Sequence, residues 1–341
     1  MAEPQTSAQP PTRIPAARYT SAEWHALERE RLWTRVWQLA CTEDCVPEPG
    51  DHFTYEIAGL SIIVVRGNDR VLRAFLNACP HRGSQLLDGA GQGLREIRCA
   101  YHDWCFDLEG RLASMSPQGE AATRPPEASA GVGKGAQRSG VGLLPVQIGS
   151  WGGLVFVNPD LEAEPLEDYL EELPSELAWV GMERYSCDRF MTVRLDCNWK
   201  AGLDAFLETY HLHSVHPQML AIADDVHTPI TLYDKHTMFM QPYGVPSPRR
   251  HEGVDDQEIW EAFVGNLGHR MGIPFAEAAE PGPHPEIPAG KTIRDVLVQR
   301  IRAHLAKLGS DYQGLDDHHV IDDFHYHIFP NSVFNVFAGW Y

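Results

Sequence analysis

Basic side chains are scarce in this 341-residue chain. Lys and Arg number 28 against 47 Asp and Glu, which gives a formal net charge of −19 at pH 7. Nucleic acids and anionic membranes bind basic surfaces, so this charge balance argues against either as a partner. The acidity is explained most simply by solubility.

The sequence also lacks long apolar runs. No stretch is long and apolar enough to span a bilayer, and the first residues (MAEPQTSAQPPTRIPAARY) lack the basic-then-apolar pattern of a secretory signal. Cysteine is sparse, with seven residues that do not have the spacing of a disulfide framework. We therefore expect a reducing, cytoplasmic setting in which some cysteines bind metal.

What the chain does contain is enough apolar sequence, 43%, for a globular protein. Its length favours about two domains. β-Branched and alternating residues predict strands between 50 and 77 and again at 153–157, 189–195 and 325–341. Apolar spacing predicts helices at 21–37, 166–180, 198–210 and 291–308. A segment rich in Gly, Ala, Ser and Pro at 117–141 predicts a flexible surface insertion.

Two short boxes pair a cysteine with a histidine, C-P-H-R-G-S and C-A-Y-H-D-W. Their metal-binding side chains are Cys79, His81, Cys99 and His102. An iron–sulfur centre with two Cys on one iron and two His on the other needs this ligand set, and its neutral imidazoles raise the reduction potential. Tetrahedral zinc is the alternative. Zinc fingers pair Cys with Cys and His with His, however, so the pattern favours iron–sulfur.

A second group of metal-binding residue types follows the sequence Asn-Trp-Lys at 198–200. On a helix, Glu208 and His211 would lie on one face. Pro217 would end that helix and allow His216 to turn back toward His211. Two imidazoles with a carboxylate nearby favour a non-haem iron site. The alternative is a helix with surface His and Glu, which we would favour for an isolated E-x-x-H.

Both groups together resemble the α-subunits of the Rieske non-haem iron ring-hydroxylating oxygenases. The Cys-His boxes resemble the Rieske motif, and N-W-K, an acid, Tyr-His and a second His resemble the family's catalytic segment. Respiratory Rieske proteins carry an extra Cys in each box, where this chain has Ser84 and Tyr101. The oxygenase or ferredoxin type therefore fits better. Asp103 stands where the family commonly has Gly.

The resemblance implies an α+β fold, with a Rieske-type antiparallel β-domain inserted in a helix-grip (START-like) catalytic domain. Residues 1–45 would form an N-terminal arm and a helix of the catalytic domain. Residues 46–160 would form the Rieske [2Fe-2S] domain, with the 117–141 insertion. Residues 161–341 would form the catalytic mononuclear iron domain.

The resemblance also implies roles for individual residues. Cys79, His81, Cys99 and His102 would hold the [2Fe-2S] cluster. His211 and His216 would hold Fe(II), and Glu208 would link this iron to the cluster of a neighbouring subunit. The family's third iron ligand is a carboxylate downstream of a Phe-Pro-Asn strand, which is 329–331 here, and no matching acid precedes Tyr341. We therefore expect a C-terminal truncation; the alternative is an incomplete set of iron ligands.

The function implied is that of a terminal oxygenase. It would use O2, and electrons from NAD(P)H delivered by a separate reductase with or without a ferredoxin, to hydroxylate an aromatic or other apolar substrate, as in aromatic hydrocarbon catabolism. Electron transfer between subunits implies a ring-like homo-oligomer, and the resemblance implies a homotrimer, with or without a small β subunit. One alternative is a Rieske N- or O-demethylase, which the presence of Glu rather than Asp at position 208 favours. Another is a cluster-only electron carrier.

Overall fold

The computed structural model describes residues 13–115, 141–310 and 314–338. Nearly all of the predicted insertion at 117–141 lies outside the described residues. No helix in the described part of the chain is both long and apolar enough to span a membrane.

The first half of the chain is an antiparallel β-structure of two sheets. A seven-stranded sheet has the order β1-β10-β9-β4-β3-β2-β5, and a three-stranded sheet has the order β6-β7-β8. Their strands are β1 (Gln38–Thr42), β2 (His52–Ile57), β3 (Leu60–Arg66), β4 (Leu72–Leu76), β5 (Ala90–Gly91), β6 (Ile97–Arg98), β7 (Cys105–Phe106), β8 (Leu112–Ser114), β9 (Pro145–Trp151) and β10 (Leu154–Asn158). The run of β-branched residues in β3 is central and fully buried, as the sequence pattern predicts.

The second half contains a four-stranded antiparallel sheet with the order β11-β12-β13-β14. The strands are β11 (Ile230–Leu232), β12 (Thr237–Gln241), β13 (Asp323–Ile328) and β14 (Ser332–Val336). One face of this sheet packs through Tyr326 and Phe334 into an apolar cluster that also contains Trp37 and Phe156. This cluster joins the second sheet to the β-structure of the first half.

The described residues also form helices, most of them short. They are α1 (Ala17–Thr20), α2 (Ala22–Arg31), α3 (Leu166–Tyr169), α4 (Leu173–Glu176), α5 (Trp199–Asp204), α6 (Leu212–Val215), α7 (Asp256–Leu267), α8 (Phe275–Ala278), α9 (Ile293–Lys307) and α10 (Asp317–Ile321). The predicted helix at 291–308 is present as α9, which begins with a capping box between Thr292 and Asp295. Helices α7 and α9 bury Phe263, Leu297 and Ile301 against each other.

Several predictions of local structure were wrong in kind or extent. The predicted helix at 21–37 ends at Arg31, and the one at 166–180 is divided into α3 and α4. Residues 189–195 are not a strand: they form no ladder in the described structure, and Met191 and Leu195 are exposed. Alternation alone does not make a strand without a partner to accept its hydrogen bonds. The predicted helix at 198–210 ends at Asp204, and α6 begins only at Leu212. Thr209 lies between them and donates to the carbonyl of Asp225, a tertiary hydrogen bond of 3.0 Å that holds the chain away from a helical path.

A buried ion pair connects α9 to the sheet. The Asp322 carboxylate is 1% exposed and accepts two hydrogen bonds from Arg294, at 2.8 and 2.9 Å. It also accepts from the backbone N–H of Tyr243 at 2.8 Å. These bonds place the start of β13 against the end of β12.

We predict that Asp322→Ala lowers the free energy of unfolding by about 3–5 kcal/mol, because it leaves the Arg294 charge without its partner. Denaturant titration followed by circular dichroism measures the change. Lys291→Ala removes one partner of the more exposed Lys291–Asp295 pair and should cost less than about 1 kcal/mol. Equal effects of the two substitutions would contradict the structural role of Asp322.

Candidate metal centres

The two Cys-His boxes form loops of the same construction. The Cys79 N–H donates to the Ser84 carbonyl, and the Cys99 N–H donates to the Trp104 carbonyl, both at 2.8 Å. Each hydrogen bond closes a loop that begins with a cysteine and contains a histidine. The two loops thus present the same pair of side chains at their tips.

Each loop contains one residue in the left-handed region, Gly83 with φ +72° and Asp103 with φ +59°. Each of these donates its N–H to the carbonyl of its loop's cysteine. Asp103 therefore occupies the position of Gly83, and Asp is one of the few non-glycine residues that tolerate this conformation. Its carboxylate lies 2.7 Å from Arg98 Nη1. The departure from Gly at 103 leaves the loop intact and adds an ion pair beside it.

The four predicted cluster ligands converge. Cys79 and Cys99 are each 2% exposed and belong to the same apolar cluster. The His81 and His102 rings lie edge to face with centroids 4.6 Å apart. Burial raises the pKa of Cys79. The pKa of Cys99 is lowered although burial opposes this, because the backbone N–H groups of Tyr101 and His102 donate to its sulfur.

The imidazole nitrogens test whether a metal fits here. Nδ1 of His81 and Nδ1 of His102 are buried, and neither has a hydrogen-bond partner among the described residues. A buried nitrogen left without a partner costs about 1–3 kcal/mol, so a ligand is the natural explanation. Two buried thiols and two unpartnered imidazole nitrogens fit a [2Fe-2S] cluster.

Trp104 supports this site, although the motif alone did not assign it a role. Its ring stacks on His81 at a centroid distance of 4.9 Å and an interplanar angle of 5°. It is 9% exposed and belongs to the apolar cluster that also contains Cys79 and Cys99. The stack restricts the rotation of the His81 ring.

The second predicted site also comes together, although not on one helix face. The His211 and His216 rings have centroids 5.4 Å apart. Glu208 Oε1 lies 2.7 Å from His211 Nδ1, and Glu208 Oε2 accepts from the His211 backbone N–H at 3.2 Å. A carboxylate that accepts from Nδ1–H leaves Nε2 free to bind a metal. The pair of imidazoles therefore fits part of an iron site.

No group of three or more His, Cys, Asp or Glu side chains in the described part of the chain is arranged to hold a single metal ion. The downstream acids have other partners. Asp224 pairs with His227, and Asp323 pairs with His325. Asp322 pairs with Arg294. None of these carboxylates is grouped with His211 and His216 around one metal position in the described residues.

Sequence reasoning missed the contact that positions this second site. Glu28 in α2 accepts from Trp199 Nε1 at 3.0 Å and forms an ion pair with Lys200. Both side chains of the ion pair are less than a fifth exposed. Tyr19 in α1 donates to Asp204 at 2.8 Å. Helix α5, which leads to Glu208 and His211, is thus held by the N-terminal helices.

Asn-Trp-Lys at 198–200 has a structural explanation in these contacts. Asn198 caps α5 by accepting from the Lys200 N–H, and the other two side chains bind Glu28. No local sequence signal connects Glu28 to residues more than 170 positions away.

Comparison with known proteins gives two family matches. The model "Rieske [2Fe-2S] domain" matches residues 36–126, and "Ring hydroxylating alpha subunit (catalytic domain)" matches residues 176–341. The oxygenase subunit of carnitine monooxygenase from Escherichia coli (strain K12) is 34% identical over 255 residues, which are 74% of this chain and 64% of that protein.

Solved structures agree with these matches. A quaternary ammonium Rieske monooxygenase in complex with its substrate L-carnitine is 29% identical, with a TM-score of 0.57, over 67% of this chain and 62% of that chain. Naphthalene 1,2-dioxygenase with indole bound is 20% identical, with a TM-score of 0.60, over 92% of this chain and 64% of that chain. The predicted α+β fold is confirmed. The chain spans less than two thirds of the length of these relatives.

Asp103 allows a test of how charge beside the cluster affects it. Asp103→Asn keeps a residue that tolerates the left-handed region and removes the negative charge. We predict that it raises the midpoint potential of the bound cluster by about 20–40 mV, the equivalent of 0.5–1 kcal/mol for an exposed pair. Redox titration measures the potential. Asp69→Asn, in the turn between β3 and β4, removes an ion-paired carboxylate outside the cluster loops and should leave it unchanged. An unchanged or lower potential for Asp103→Asn would refute the prediction.

Glu28 allows a test of how the second site is positioned. We predict that Glu28→Ala reduces mononuclear iron content several-fold, because α5 loses its anchor, while the visible absorbance of the cluster is unchanged. Metal analysis after dialysis measures the loss. Glu23→Ala changes an exposed carboxylate in the same helix and is the matched control. Full iron retention by Glu28→Ala would show that this contact does not position the site.

Proposed function

The chain belongs to the family of Rieske non-haem iron oxygenase α-subunits, and we propose that it is a terminal oxygenase acting on a quaternary ammonium compound. The observation that carries this proposal is that both groups of predicted metal-binding side chains come together in a chain 34% identical to a carnitine monooxygenase subunit. Action on a methylated nitrogen compound agrees with the demethylase alternative better than with aromatic hydroxylation. The naphthalene dioxygenase likeness supports the fold alone, because its identity is 20%.

The family's cofactors are a Rieske [2Fe-2S] cluster and a mononuclear iron. When bound, the cluster stores one electron and the mononuclear iron activates O2. We assign Cys79 and Cys99 to one cluster iron and His81 and His102 to the other. We assign His211 and His216 to the mononuclear iron. The buried, unpartnered Nδ1 atoms of His81 and His102 support the cluster assignment.

We assign Glu208 the role of linking the mononuclear iron to the cluster of a neighbouring subunit. Its carboxylate holds His211 on one side, and its side chain is still 44% exposed. The His81 and His102 rings are part-exposed while their Nδ1 atoms are buried, so the Nε2 edges are the accessible ones. Glu208 of one subunit can therefore accept a hydrogen bond from a cluster histidine of the next.

This link requires an assembly of subunits, and we propose a homotrimer. Exposed aromatic side chains flank both ends of the link: Tyr101, beside His102, is 60% exposed, and Tyr210, beside His211, is 69% exposed. Aromatic residues are enriched in protein interfaces, so both surfaces suit contact with another subunit. A small β subunit is compatible with the same assembly.

The electrons would come from a separate partner protein in the cytoplasm. This sequence contains no Gly-rich dinucleotide loop in a strand–helix context. An NAD(P)H-dependent reductase, with or without a ferredoxin, would therefore reduce the cluster. The family resemblance also supports a division into domains at 1–45, 46–160 and 161–341.

Product analysis tests the function. The protein, its reductase and 18O2 are incubated with L-carnitine, γ-butyrobetaine or indole. We expect 18O in a product of the quaternary ammonium compounds, and three irons per chain by metal analysis. Turnover of indole alone would favour aromatic hydroxylation. Two irons per chain and no product would instead favour the cluster-only electron carrier.

Glu208 gives a direct test of electron delivery between centres. We predict that Glu208→Ala lowers turnover at least 100-fold, in the range lost when a positioned acid–base group is removed. Reduction of the cluster by the reductase, followed by stopped-flow absorbance, should be unchanged. Glu252→Ala alters an exposed carboxylate in a loop and serves as the control. Full turnover by Glu208→Ala would remove the bridging role.

A further inference from the structure

One face of the four-stranded sheet carries polar side chains in its interior. The register pairs Gln241 with Asp323, and it pairs His325 with both Phe239 and Asn335. Directly paired residues project from the same face, and so do residues two apart in one strand. These five side chains, which together form the polar group of the sheet, therefore share one face. It is opposite the face whose Tyr326 and Phe334 pack toward Trp37.

Four atoms of this polar group have no hydrogen-bond partner among the described residues. They are Gln241 Oε1, Asp323 Oδ1, His325 Nδ1 and Asn335 Oδ1. Gln241 is 2% exposed and Asp323 is 3% exposed, so water does not reach them freely. Buried polar atoms are paired in the great majority of cases, and a concentration of exceptions on one sheet face calls for a ligand.

The chemistry of this group suits a cation. Three of its four unpartnered atoms are oxygens, and one belongs to a carboxylate. The other Asp323 oxygen lies 2.6 Å from His325 Nε2, and no Lys or Arg of the described residues lies within 4.0 Å of it. The buried Arg270 is 2% exposed, and its Nη atoms donate to the carbonyls of Val320 and Ile321.

An aromatic ring completes the group. Phe239 stacks on the His325 ring with centroids 4.3 Å apart. A quaternary ammonium has no N–H to donate, and its positive methyl groups are bound by carboxylate and carbonyl oxygens and by aromatic faces. The polar group offers each of these acceptors and places them in one buried surface.

The same face is connected to the second metal centre. Gln241 Nε2 donates to the Asp224 carbonyl at 2.7 Å, and the adjoining Asp225 carbonyl accepts from Thr209 at 3.0 Å. Thr209 is two residues before His211. The polar group and the proposed iron ligands are thus joined through one segment of the chain, residues 209–225.

We propose that Asp323, with the side-chain oxygens of Gln241 and Asn335, binds the cationic end of the substrate and so determines specificity for positively charged substrates. This inference rests on the proposed function and deepens it. Asp323 would be a binding residue that distinguishes a cation from a neutral group of the same shape.

The test compares γ-butyrobetaine with its isostere, in which an uncharged tert-butyl group replaces the trimethylammonium group. Calorimetric titration of the anaerobic holoenzyme gives the ratio of the two dissociation constants. We expect the wild type to prefer the cation at least tenfold, and Asp323→Asn to lose about tenfold of that preference. Gln241→Leu should lose less, about threefold. Asp316→Asn, which removes an exposed carboxylate, should keep the wild-type ratio.

Cluster absorbance and circular dichroism show whether each variant is folded. If Asp323→Asn does not fold, the preference of Gln241→Leu for the cation tests the inference instead. An unchanged preference in a folded Asp323→Asn variant overturns the inference and leaves the proposed function standing, provided that the wild type oxidises γ-butyrobetaine. The same result would show that water alone satisfies the unpartnered oxygens. A wild type that neither binds nor oxidises the cation overturns both.

Discussion

A buried imidazole nitrogen without a hydrogen-bond partner costs free energy of folding, and His81 and His102 each bury one. Both nitrogens lie at the tips of loops whose backbone bonds are formed entirely within the loop. The loops can therefore keep their shape without those nitrogens bonding to protein, and the nitrogens remain available to a metal. The cluster site depends on this property: backbone hydrogen bonds hold the shape of each loop, and the imidazole nitrogens are not needed for it.

The second centre is constructed differently. Its ligands lie in a segment with only short helices, α5 and α6, and intermediate turns. Such a segment has little stability of its own, because short isolated helices are marginal in water. Its position depends on the Glu28 carboxylate beneath α5 and on the bond from Thr209 to Asp225. The iron site is thus positioned by contacts between distant parts of the chain, whereas the cluster loops are defined locally.

This contrast explains which predictions succeeded. The strands between 50 and 77, helix α9 and the strand–turn–strand at 325–336 follow local patterns, and the structure contains them. The helix at 198–210 and the strand at 189–195 followed equally regular patterns and were wrong. In both cases the outcome depended on a hydrogen-bonding partner. Thr209, within the predicted helix, bonds to the Asp225 carbonyl, and residues 189–195 pair with no neighbouring strand in the described structure.

By itself, the sequence determined the chemistry of the two sites, because ligand type and spacing within a box of four to six residues are properties of the local chain. It thereby determined the family and the fold class. Only the tertiary structure decided that Glu28 holds α5, that Trp104 stacks on His81, and that Gln241, Asp323 and Asn335 share one buried face. Those relations depend on strand register and on contacts across as many as 172 positions. No local pattern encodes them, because they form only when the whole core packs.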